Sequence, residues 1–83
     1  MPARRMPRDL DADEIIRALG RLGYQAVRQT GSHIRIRTTR DGEHQETIPW
    51  HKPLKVGTLT AILSSIGAHH GLSRDELLEL LDL

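Results

Sequence analysis

The stretch His33-Ile34-Arg35-Ile36-Arg37 decides the fold of this chain. Polar and apolar residues alternate in it without a break, which is the period of a strand whose successive side chains point to opposite faces. Ile34 and Ile36 are therefore predicted to face inward, and His33, Arg35 and Arg37 to share the open face. Immediately before it, Gly31-Ser32 reads as a tight turn, because glycine accepts a left-handed backbone at little steric cost. Tyr24 to Gln29 reads as a short strand on the far side of that turn. Downstream, Asp41-Gly42 is a hairpin signal, and Glu43 to Ile48 is predicted to pair back as a third strand that Pro49 terminates.

Helical signals flank this sheet. Asp11 with Glu14 has the spacing of a capping box, and Ile15, Ile16, Leu19 and Leu22 then recur at helical intervals until Gly23. Gly20 inside this first helix costs about 1 kcal/mol relative to alanine. From Trp50 to Val56 the chain is predicted to be a loop, with Trp50 packing against it and the second helix. Leu59, Ile62, Leu63 and Ile66 follow the i, i+3, i+4, i+7 spacing of that helix, which Gly67 is predicted to close. Ser73 with Glu76 forms a second capping box, and Leu72 is placed to staple onto Leu77, so a short helix is predicted over residues 73–83. The result is an α+β domain of order α-β-β-β-α with an extra C-terminal helix. Its three-stranded antiparallel sheet carries helices on one face and leaves the other available.

A chain of 83 residues holds one core. With 37% hydrophobic and 28% charged residues it lies far from the composition of disordered chains. The absence of cysteine excludes a disulfide framework, a thiol nucleophile and thiolate-ligated zinc. The longest apolar runs, such as Ala61-Ile62-Leu63, are too short for a membrane span or a signal-peptide core, and a soluble, cytoplasmic protein is expected. Residues 1–8, with three arginines and two prolines, read as a flexible basic tail. Residues 9–83 read as a single domain with its core over 11–67. The net charge of +1 conceals a segregation: residues 28–72 carry +3 and residues 73–83 carry −3. A basic middle suggests a polyanion-binding surface.

His33 is the leading candidate for chemistry. An imidazole transfers protons near neutral pH, and the guanidinium groups of Arg35 and Arg37 on the same face can hold a phosphate and stabilise charge that develops on it. Cleavage of RNA by its own 2′-hydroxyl needs those two elements and no obligatory metal. Arg28 adds a further cation, and Gly31 and Ser32 form the rim. Lys52 and Lys55 precede the second helix, whose first amides near Gly57 and Thr58 favour an anion, and His51 is a second candidate for proton transfer. His69-His70 lacks the spacing of a metal site and reads as polar residues in a helix-to-helix connection. Trp50 and Tyr24 are the only Trp, Tyr or Phe residues, too few for a platform that stacks several bases. No cofactor and no metal are called for.

Several of these elements occur together in one known family. Leu22-Gly23-Tyr24, Val27-Arg28-Gln29-Thr30-Gly31-Ser32-His33, Ile48-Pro49-Trp50-His51 and Lys55-Val56-Gly57-Thr58-Leu59 with Ile62-Leu63 resemble the HicA family of toxin ribonucleases over residues about 11–67. The resemblance implies a fold similar to a double-stranded-RNA-binding domain, and cleavage of messenger RNA that arrests translation. It also implies neutralisation by a HicB-type antitoxin. The family's catalytic histidine falls on His33, its glycine and serine on Gly31 and Ser32, and its Pro-x-His histidine on His51. Two features depart from it: a longer hairpin around Arg40 to Gln45, and the acidic helix from Ser73 to Leu83, a surface for an antitoxin or for self-association. From the residues alone, two other classes remain open. One is a noncatalytic module binding double-stranded RNA; the other is an interaction domain acting through its acidic terminal helix.

Overall fold

Asp11 opens the first helix in the computed structural model, which describes residues 5–83, by donating its backbone N–H to the Glu14 carboxylate at 3.1 Å. The α-helix α1 covers Ala12–Leu19, and its last turn tightens into a 3-10 turn over Gly20–Leu22. The predicted continuous helix thus changes pitch at Gly20, the residue least committed to it. Three strands follow, β1 Gln25–Thr30, β2 His33–Thr38 and β3 His44–Pro49, then α2 Val56–His70 and α3 Arg74–Leu81. Residues 1–4 of the predicted tail lie outside the described residues; within the rest, Met6 packs partly buried against the core.

The sheet has the order β1-β2-β3 and both pairings are antiparallel. Thr30 pairs with His33, so Gly31-Ser32 is a two-residue turn, with Gly31 at φ 58° in the left-handed region where only glycine sits without strain. Pro49 belongs to β3 as its last residue, opposite His33, and the strand ends with it. Tyr24 falls just before β1 and is buried. As the alternation requires, Ile34, Ile36 and Ile48 are buried together with Ile15, Leu19, Leu59 and Ile66 from the helices. Both α1 and α2 contact the sheet, and α3 adds Leu77, Leu78 and Leu81 to the same core by packing on α2.

A β-bulge interrupts β1 between Ala26 and Arg28. Counting from Ala26, which pairs with the inward Ile36, strict alternation would send Arg28 inward too. The extra residue Val27 instead re-aims Arg28 to the outer face, opposite Arg35.

Gly67 does not end α2. The helix runs one turn further to His70, and Gly71 closes it in a left-handed conformation. Leu72 then folds back and donates its N–H to the Gly67 carbonyl at 2.8 Å, the six-to-one bond that closes many helices. This return explains the glycine: a Cβ on Gly67 would stand 2.8 Å from the Leu72 carbonyl oxygen. Gly67→Ala is expected to destabilise, because overpacking against backbone costs about 1–3 kcal/mol and exceeds the roughly 1 kcal/mol gained in helix propensity. Gly57→Ala on the same helix, where a Cβ meets open space, serves as the control. Thermal melts should show a lower Tm for the first and an equal or higher Tm for the second.

Candidate nucleic-acid interface

The outer face of the sheet is assembled by register. Thr30 and Pro49 flank His33 on its two sides, and Arg28 and Thr47 flank Arg35. Arg28, Thr30, His33, Arg35, Gln45 and Thr47 line one open depression of about 420 Å³. Arg28 and Arg35 are direct cross-strand partners, and like charges placed opposite each other repel, so an anion lying between them is favoured. Gln45 accepts a 3.0 Å hydrogen bond from Arg35 Nη1, which steadies the guanidinium and leaves its charge uncompensated. The imidazole of His33 is exposed and, among the described residues, is held by no hydrogen bond.

The other predicted site residues lie apart from this depression. Arg37 points to the same side of β2, but its Nε donates to the Glu43 carboxylate, so its charge is spent inside the molecule. Gly31 and Ser32 form the exposed turn at the end of the depression, and the Ser32 carbonyl accepts the Trp50 N–H at 2.6 Å. His51 is exposed in the loop after β3, where its carbonyl accepts the Ala12 N–H at 3.3 Å. Lys52 places its Nζ 5.6 Å from the centre of the Trp50 ring. Lys55 stands at the start of α2 without capping it through its side chain. The register thus unites His33, Arg28 and Arg35, and leaves Arg37, His51, Lys52 and Lys55 outside their depression.

A second cluster was not anticipated. The added turn of α2 puts His69 and His70 on the helix, not in a connection, and carries them to the hairpin between β2 and β3. His44 Nδ1 and His70 Nε2 lie 2.7 and 3.1 Å from the Tyr24 hydroxyl. His70 Nδ1 lies 2.9 Å from an Asp41 carboxylate oxygen, and His69 Nε2 lies 3.2 and 3.0 Å from the carbonyls of Arg40 and Gly42. The rings of His44 and His69 stack at 4.5 Å. Ser65 and Glu46 complete the surroundings of His44, at 3.3 and 3.8 Å from its Nε2. Four rings thereby pin the hairpin to the end of α2. Among the described residues, no group of three or more His, Cys, Asp or Glu is arranged to hold a metal ion.

Burial and, next, the neighbouring His69 hold the His44 pKa below the ordinary histidine value, with His70 adding to this and Glu46 opposing it. Burial and Glu46 push the Tyr24 hydroxyl up to about 12. The native state therefore favours neutral His44, whereas the unfolded chain takes up a proton near the ordinary histidine value of about 6.5. The sign follows from linkage: this contribution to stability is complete above about pH 6.5 and is lost as pH falls below it. Tm should be lower at about pH 5 than at about pH 8, with a shallower fall in His44→Gln; equal slopes for the two proteins would exclude His44 as the source.

Among the described residues, no helix is long and apolar enough to cross a membrane. None of the curated proteins and none of the solved structures matches the chain significantly. The family described as HicA toxin of bacterial toxin-antitoxin matches residues 12–68. That span starts at the first residue of α1, contains all three strands with the whole depression around His33, and reaches into the last turns of α2. With more than half of its length matched, including the entire sheet that carries the basic face, the chain belongs to the HicA toxin family of bacterial toxin–antitoxin systems.

Proposed function

We propose that this toxin is a metal-independent endoribonuclease that cleaves messenger RNA and so arrests translation, and that a HicB-type antitoxin neutralises it. The observation that carries this reading is the juxtaposition of His33 with the opposed Arg28 and Arg35 in one solvent-open depression. In the step it supports, His33 accepts the proton of a 2′-hydroxyl as that oxygen attacks phosphorus. Arg28 and Arg35 balance the charge that builds on the phosphoryl oxygens. The bond to the 5′-oxygen breaks, and that oxygen takes a proton from the imidazolium or from water, leaving a 2′,3′-cyclic phosphate and a 5′-hydroxyl. Gly31 and Ser32 fix the turn from which His33 projects.

A second reading, a noncatalytic module for double-stranded RNA, draws on the His33 ring, which no hydrogen bond among the described residues orients. Incubating the purified protein with end-labelled messenger RNA in the presence of EDTA separates them. Fragments with cyclic-phosphate ends support the nuclease. RNA that stays intact after long incubation, yet is bound with a steep salt dependence, supports the module.

A further inference from the structure

We infer that Trp50 stacks one nucleobase next to the phosphodiester held at His33, with Lys52 reaching the phosphate of the same nucleotide. This rests on the ribonuclease reading above and adds to it a residue that binds a base of the substrate.

The depression itself holds no large apolar ring for a base. Its walls are two arginines, two threonines, a glutamine and His33, groups that suit phosphate and sugar. A base needs a flat apolar face, and the chain has only two large aromatic residues, Tyr24 and Trp50, with no phenylalanine. Tyr24 is 3% exposed and committed to the histidine cluster, whereas Trp50 keeps 37% of its surface exposed.

Its position is adjacent to the chemistry. Pro49 is the cross-strand partner of His33, and the Trp50 N–H donates to the Ser32 carbonyl at 2.6 Å. Strand spacing of about 4.8 Å and a rise of about 3.3 Å per residue put the Cα of Trp50 on the order of 6 Å from that of His33. The bond from Trp50 to Ser32 carries the ladder one residue past Pro49, and the indole stands at the end of the sheet, partly open to solvent. The Lys52 ammonium over the ring combines cation and aromatic face, the pairing with which single strands are held. A single aromatic stacks a single base, which is too little for a platform and sufficient to hold one nucleotide.

Trp50 is the sole tryptophan, so intrinsic emission reports on it directly. The full-length protein is titrated with a short single-stranded 2′-O-methyl RNA, which lacks the attacking hydroxyl, and with the same strand made abasic. Binding is followed separately by anisotropy of an end-attached dye. The base-containing strand is expected to quench the emission and the abasic strand to leave it unchanged. Trp50→Ala should weaken binding of the base-containing strand by about 5- to 150-fold, the span of one base–aromatic stack. Trp50→Phe, which keeps a ring, should restore most of it. Anisotropy that shows binding without quenching, together with equal affinity for Trp50→Ala, overturns the stacking and leaves the RNA reading intact. No anisotropy change with either strand overturns both.

Discussion

His33→Ala is expected to lower the rate of RNA cleavage by about 100- to 10,000-fold, the usual contribution of one positioned proton-transfer group. The same change should alter stability by no more than about 0.5 kcal/mol, because the imidazole is exposed and no hydrogen bond among the described residues holds it. The two readouts must be taken together, as cleavage rate and Tm on one preparation. A matched loss of both would make the effect one of folding and remove His33 from the mechanism. Retained cleavage at an unchanged Tm would shift proton transfer to another group, of which His51 is the nearest in kind. In cells, induced expression should stop growth and fragment messenger RNA for the wild type alone.

Ile36→Ala is expected to have the largest effect on stability. Ile36 is fully buried in the centre of the middle strand, and truncating such a residue costs about 2–5 kcal/mol through lost burial and the cavity left behind. A domain of this size has a total stability of roughly 4–12 kcal/mol, so Tm should fall by on the order of 10 to 30 °C. One residue away, Arg35→Ala should leave Tm nearly unchanged and weaken RNA binding, because it removes an exposed cation opposite Arg28. Neighbouring positions on β2 thus give opposite phenotypes. If Arg35→Ala unfolded the chain, or Ile36→Ala left Tm unchanged, the assignment of the two faces would be wrong.

These two faces were legible before any coordinates, because alternation in β2 is local and both turns beside it carry residues that suit left-handed backbone, Gly31 and Asp41-Gly42. The union of His33 with Arg35 followed from the same alternation. Arg28 was named on its charge, but its place opposite Arg35 depends on the bulge at Val27, and nothing in Ala26-Val27-Arg28 announces an unpaired residue. Arg37 shared the alternation and was still lost to the site, since its neutralising partner Glu43 belongs to a different strand connection whose path the pattern leaves free. The end of α2 was misplaced for a similar reason. Glycine is a common stop, and only the return of Leu72 across Gly67 shows that here it makes room for a neighbour instead. The histidine cluster inherits that error: residues 44, 69 and 70 meet only if the helix keeps going.

The bulge in β1 has a consequence beyond the aim of one arginine. In a three-stranded sheet two borders are left without a neighbour, and β1 is exposed at every residue. A straight, unpaired border is a template on which further copies of a chain can align, strand on strand, towards fibrils. The additional residue at Val27 breaks the even spacing of donors and acceptors along that border, and Arg28 places a charge beside the break. The irregularity that completes the cationic face therefore also works against pairing of a second chain along β1.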